Sequence, residues 1–228
     1  DLKSQAEALE NAGGTETETE RLGSLWFEYG QIQKVYGRDK KEALEAVERV
    51  LSLIPSHRIA LGVYVELMEI EERYDELSSR LEDMAAYARD RDLAIELLEQ
   101  AALLRVSRLR QPEASVRLFR RILDLDPTNG SANYALTEYF IDTQQWAEAI
   151  RVFQDWLERS TAAEDKVAAH YGIAAILAGH HNDLMRARPH YESVLKYESE
   201  HQPTLLALEP IYRDANEPHQ LAGVLNSK

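Results

Sequence analysis

The strongest constraint on this chain is that it matches itself. Displaced by 72 residues, the sequence sets Leu51 against Leu123 and Leu195, Val50 against Ile122 and Val194, and Val47 against Phe119 and Tyr191. The register continues through Tyr64, Leu136 and Leu208, then Met68, Phe140 and Tyr212, while the polar residues His57, Asn129 and His201 share one position. Such a period describes an array in which one supersecondary unit stacks on the next, rather than one or two ordinary domains. Apolar residues within it recur at spacings of three and four, as in Ala43, Leu44, Val47, Val50, Leu51 and Ile54, which is the one-sided stripe of an amphipathic helix. No stretch sustains strand alternation. The fold class read from this pattern is all-α.

Each 72-residue unit holds two shorter ones. Ala43, Leu77, Ser115, Ala149, Ala187 and Leu221 are equivalent points separated by steps of 34, 38, 34, 38 and 34 residues. A 34-residue step with two helices is the tetratricopeptide (TPR) period, and the residues resemble that family as well. Asn133, Leu136, Thr137, Phe140, Trp146, Ala149, Phe153 and Trp156 stand where it places its bulky, Leu, small, aromatic, aromatic, Ala, aromatic and small residues. The corner LDLDPTN, with Pro127, is similar to the family's turn between repeats and recurs as LSLIPSH at Pro55. Trp156, Thr137 and Ser199 depart from the pattern, which makes the repeats degenerate.

The resemblance, to a bacterial-type scaffold segment, implies an α-solenoid of tandem antiparallel helix pairs. They would wind as a right-handed superhelix with a concave and a convex face. Its close packing needs a small residue where the two helices of a pair cross, and Gly30, Ala102 and Ala174 fill that position.

Helices are expected near 23–36, 40–53, 57–72, 74–88, 92–109, 112–125, 129–143, 146–159, 162–179, 184–197, 201–215 and 218–227. Asn129 and Thr128 are N-cap candidates, Thr161 with Glu164 has capping-box spacing, and Pro112, Pro189 and Pro218 are expected at the turns that start second helices. Residues 1–12 obey the same register, Leu2 matching Tyr74 and Trp146, and read as the second helix of a preceding repeat. Residues 13–22, with Gly13, Gly14 and alternating Thr and Glu, read as a flexible acidic loop. Residues 23–228 then hold about six helix pairs, the last of them truncated, as expected for a piece of a longer array.

Composition narrows function. The chain has 40 acidic and 26 basic side chains, no Cys and a net charge of -14. Without Cys there is no disulfide, thiolate zinc site or Cys nucleophile, and the acidity argues against phosphate-backbone binding, so no nucleic acid is expected. The longest uncharged stretch, 167–182, is short for a spanning helix and carries three His, so no membrane insertion is expected. No leader pattern follows Asp1, and the compartment stays open.

Chemical motifs are weak. His170, His180, His181 and His190 with Asp183 bracket one helix pair, but adjacent His180 and His181 cannot share a helix face and no four-residue His spacing occurs. Carboxylate pairs such as Glu71 with Glu72, Glu82 with Asp83 and Glu164 with Asp165 are accounted for by a solvated face. Arg105, Arg108, Arg110, Arg117, Arg120 and Arg121 are flanked by Glu96, Glu99, Glu113, Asp124 and Asp126, which favours ion pairing over an anion site. No catalytic residue, metal or cofactor is expected.

In the family, the first helix of each pair lines the concave face. Residue by residue, the resemblance implies a partner-binding groove of Phe27, Gln31 and Lys34, then Ile59, Gly62, Glu66 and Glu69, then Tyr134, Glu138 and Ile141, then Tyr171 and Ala175, then Leu206, Pro210 and Arg213. A one-residue shift in register would turn several of these into interhelical core. The Lys and Asn pattern with which some members clamp a C-terminal carboxylate is absent. The expected function is a non-catalytic protein–protein interaction scaffold, its partner a peptide or helix with apolar and basic residues. The alternatives are a structural spacer, a segment that self-associates through its repeat ends, and repeats that position substrates for a catalytic domain elsewhere.

Overall fold

The computed structural model describes residues 1–12, 16–37 and 40–226. These residues form thirteen helices: α1 (Leu2–Ala12), α2 (Glu16–Tyr36), α3 (Lys40–Leu53), α4 (Arg58–Ile70), α5 (Tyr74–Tyr87), α6 (Arg91–Ser107), α7 (Pro112–Leu125), α8 (Gly130–Asp142), α9 (Trp146–Arg159), α10 (Ala163–Gly179), α11 (Leu184–Tyr197), α12 (Gln202–Asp214) and α13 (Pro218–Asn226). No strand occurs among the described residues. Even-numbered helices from α2 onward are the first, or A, helices of the pairs, and the following odd-numbered helices are the B helices.

Helix lengths explain the two step sizes. B helices start at Lys40, Tyr74, Pro112, Trp146, Leu184 and Pro218, at steps of 34, 38, 34, 38 and 34 residues. The B helices α3, α5, α7, α9 and α11 all have 14 residues. The A helices alternate: α4, α8 and α12 have 13 residues, whereas α6 and α10 have 17. Four extra residues are about one turn, so the longer helix presents nearly the same face to its neighbours. The extra turn lies at the N-terminus, since Ala102 and Ala174 stand eleven residues after the first residue of their helices and Thr137 stands seven.

Both ends of the short A helices follow one chemistry. His57, Asn129 and His201 are their N-caps, accepting from the backbone N–H of Ala60 at 3.1 Å, Ala132 at 2.8 Å and Thr204 at 3.3 Å, which satisfies donors that a helix start leaves free. At the other end Arg73, Gln145 and Glu217 donate back to the carbonyls of Met68, Phe140 and Tyr212. The chain turns there through a residue in the left-handed region. Those residues are Glu72, Arg110, Gln144, Asn182 and Asn216, with φ between 50° and 58°, and they too recur at steps of 38 and 34.

The chain divides into two compact units, residues 1–115 and 116–228, the division falling within α7. In the first, Trp26, Val47, Leu51, Tyr64, Met68, Leu77, Leu81, Leu97 and Leu98 are buried, and Gly30 lets α2 approach α3, with Val47 Cγ2 3.2 Å from where a Cβ would stand. In the second, Leu136, Phe140, Phe153, Trp156, Ile173, Leu177, Tyr191, Leu208 and Tyr212 form the core, with Val116, Phe119 and Leu123 of α7 packed against it. Arg188 crosses from α11 to the turn before α13, its two terminal nitrogens each 2.8 Å from a Glu217 oxygen.

Three expectations are corrected. Helix α2 begins at Glu16, so 16–22 are helical rather than a loop, Glu being a good helix former; the remainder of that expected loop, 13–15, lies outside the described residues. The N-cap of α10 is Ala162, not Thr161; Ser160 takes the capping part, accepting from the Ala162 N–H at 3.2 Å and donating to Asp165 at 2.5 Å. Pro112 and Pro218 do begin B helices, but Pro189 lies inside α11, where it deprives the carbonyl of the exposed Met185 of its helical donor.

Candidate functional site

In the first unit the residues expected to face a groove come from α2 and α4. Lys34 and Glu66 form an ion pair with each other, which places the ends of α2 and α4 on one face. Glu66 is therefore engaged, and Glu69, one turn on, is the exposed carboxylate with no ion-pair partner among the described residues. Ile59 is exposed, Gln31 is half-buried, and Phe27 is half-buried with its ring 5.0 Å from that of His57.

Between α4 and α6 this face deepens into a cleft of about 340 Å³. Leu61, Gly62, Val65 and Glu69 line it from α4, and Glu96, Gln100, Leu103, Leu104 and Ser107 from α6. Gly62 opens the floor, with nothing within 4 Å of where a Cβ would stand, and Leu103 is 64% exposed. Arg58 and Glu96 close one end as an ion pair at 2.5 Å. Arg108, over the Tyr74 ring at 5.6 Å, stands at the other. The α6 contribution is what sequence reasoning missed: the register that selects Ile59, Gly62 and Glu66 on α4 selects Glu96 and Leu103 on α6, and it had not been carried over.

Three buried side-chain polar atoms among the described residues have no hydrogen-bond partner: Trp26 Nε1, Trp156 Nε1 and Gln100 Oε1. Of these, Gln100 alone lines the cleft. Buried polar atoms are normally paired.

In the second unit the expected residues separate into exposed and packed ones. Tyr134 and Leu206 are exposed, as is Glu138, for which no ion pair exists among the described residues. Ile141 packs at the edge of the core, and Tyr171 has its ring 6.0 Å from Tyr191 and 5.1 Å from His201. Arg213 is tied to Glu209 one turn back, and Pro210, having no N–H, leaves the Leu206 carbonyl without a helical donor.

The remaining titratable groups are engaged locally. Arg105 is held by Glu82 at 3.0 Å and Gln111 at 3.2 Å, and Arg120 lies over the Phe140 ring at 5.8 Å and 4.0 Å from Glu148. Arg117 and Arg121 also have partners. Ion pairing thus accounts for most of the arginine concentration. His170 and His190 face each other with Nδ1 atoms 3.0 Å apart, so one donates and the other accepts, and burial followed by neighbouring cations holds both below the usual His range. His180 stacks on Trp146 at 3.6 Å. Burial pushes the phenols of Tyr64 and Tyr212 up to about 12, a hydrogen bond to Glu192 adding to the second. No group of three or more His, Cys, Asp or Glu placed to hold a metal occurs among the described residues, and no helix there is long and apolar enough to cross a membrane.

Antiparallel helix pairs at a 34-residue step, with Ala102 and Ala174 fully buried at the crossings of the longer A helices, decide the architecture. The chain has a tetratricopeptide-like fold. No family model matches the sequence, and no curated protein matches it. Among solved structures this tetratricopeptide-like chain is similar to MamA, with a TM-score of 0.49 at 14% identity over 78% of this chain and 92% of that one. It is also similar to YrrB, described as a TPR protein with an unusual peptide-binding site, with a TM-score of 0.49 at 18% identity over 89% and 98%. Similarity to yeast Tom70 has a TM-score of 0.46 at 14% identity over 99% of this chain and 54% of that one.

Proposed function

We propose that this chain is a non-catalytic protein-interaction scaffold, and that the A-helix face of its first unit, centred on the cleft between α4 and α6, takes up a segment of a partner protein. The observation that carries this reading is the cleft itself. It combines open space over Gly62, the exposed aliphatic Leu103 and the unpaired carboxylate of Glu69 on elements fixed by a packed core. Preformed concavities with few polar groups are where proteins hold ligands. Apolar area supplies affinity, and the acidic rim selects a segment carrying Lys or Arg. The exposed Tyr134, Glu138 and Leu206 give the second unit a face of similar chemistry.

An array of capped peptides that vary Lys, Arg and aliphatic residues, probed with the intact chain, tests the reading. Peptides with both an aliphatic and a basic residue are expected to bind, and Glu69→Lys to weaken them and flatten their salt dependence. Binding that ignores Glu69→Lys, or no binding at all, overturns the assignment. If instead the chain associates with itself in light scattering, the self-association reading takes its place.

A further inference from the structure

We infer that Gln100 reads the backbone of the bound segment, and that the partner therefore enters the cleft between α4 and α6 as an extended strand rather than as a helix. The inference rests on the functional reading above and adds to it the conformational class of the ligand.

A side-chain amide carries an acceptor and a donor side by side, the complement of the C=O and N–H of a peptide unit. In the cleft Gln100 Oε1 is shut off from solvent and meets no donor. Reversing the amide would place the NH2 in the same enclosed position, still unmatched, so the argument does not depend on which end is oxygen. A buried polar group left unmatched is an unfavourable state that a ligand can relieve. Only a ligand with free backbone groups can do so here. A helical partner has spent its N–H and C=O groups on itself, and a bare apolar side chain would leave the amide as it is.

The rest of the cleft suits a strand. Side chains of an extended segment alternate in direction, so when one backbone amide faces Gln100 a flanking side chain can enter over Gly62, against Val65 and Leu103, while another reaches Glu69. Leu61, Val65, Leu103 and Leu104 provide no competing hydrogen-bonding group, which leaves Gln100 as the polar contact within the apolar part of the cleft. The terminal torsion of Gln is broad and soft, so the amide can turn to meet the peptide without disturbing α6.

The test uses the intact chain and the tightest-binding capped peptide from the array described above. Gln100→Leu keeps the side-chain volume and removes the amide. It is expected to leave thermal stability unchanged or raised, because an unmatched polar group is lost, and to weaken the peptide roughly tenfold. Methylating the backbone nitrogens of the peptide one at a time should reproduce that loss at one nitrogen in the natural chain and cause no further loss there in Gln100→Leu. Equal affinity of the two chains, or a bound peptide whose NMR spectrum is helical, overturns this inference while the scaffold reading stands. Failure of every peptide on the array overturns both.

Discussion

Arg58 and Glu96 join neighbouring A helices across the cleft, Arg58 Nη1 lying 2.5 Å from Glu96 Oε2 while both residues line the cavity. The pair has side chains 60% and 40% exposed, so solvent screens most of its Coulomb energy and its contribution to folding is about 0.2–1 kcal/mol at most. Its larger effect is on the charge presented to a ligand. Arg58→Ala should leave the unfolding midpoint almost unmoved, free the Glu96 carboxylate, and raise affinity for Lys-bearing peptides. Calorimetric titration with and without the substitution measures this; weaker binding would show that Arg58 itself touches the ligand.

Gly172 and Gly62 make opposite predictions. A Cβ on Gly172 would stand 2.2 Å from Phe153 Cζ in the buried interface of α9 and α10, and about 1 kcal/mol of helix propensity cannot offset that overlap. Gly172→Ala should therefore cost about 1–3 kcal/mol, partly recovered by adding Phe153→Leu. Gly62→Ala meets nothing within 4 Å and should be neutral or stabilising by up to about 1 kcal/mol. Urea unfolding of both variants decides it, and similar midpoints would refute the close approach.

The left-handed turn residues are unequal in chemistry. Asn tolerates that conformation, so Asn182 and Asn216 carry little strain, whereas Gln144 at φ 58° is ill suited to it. Gln144→Gly should stabilise by about 0.5–1 kcal/mol, and Asn216→Gly by clearly less. Thermal scans that rank the two substitutions the other way would contradict this account of the corners.

Acid should loosen the second unit through His170 and His190. Both have pKa values lowered by burial, and the charged groups acting on them, Lys196 and Lys166 on the first and Arg186 on the second, are all cationic. The unfolded chain then binds more protons than the folded one below about pH 6.5, so the contribution is complete above that pH and is lost as pH falls through the lower folded values. Between about pH 7.5 and 5.5 the urea midpoint of the natural chain should fall more than that of His170→Leu with His190→Leu. Parallel slopes would exclude the pair as the cause.

Much of the fold was legible because its determinants are local. The B-helix starts follow from the self-match, and His57, Asn129 and His201 share a position in sequence because they share a capping task. The start of α2 was not legible: Gly13 and Gly14 beside alternating Thr and Glu carry the composition of a loop, and only the packed helix decides otherwise. The candidate site was half legible. Ile59, Gly62 and Glu69 follow from register, but Gln100 is one polar residue among many until α4 encloses its amide. The pairing of Lys34 with Glu66 was likewise invisible, since a sequence ranks both as exposed charges without saying that they neutralise each other.

The alternation of A-helix lengths has a geometric outcome beyond the repeat count. In the first unit the short α4 stands between the longer α2 and α6, and over its start lies a recess of about 750 Å³ walled by Thr19, Glu20, Leu53, Ile54, Pro55, Met84, Tyr87, Asp90 and Leu93. That hollow exists because of a missing turn, not because of any one side chain. Trimming a single wall residue would reshape it only slightly. Splicing four helix-forming residues in after His57 would lengthen α4 by about 6 Å with only about 40° of rotation and fill it. Helix length is thus a sculpting variable in this chain, separable from the chemistry of the faces it carries.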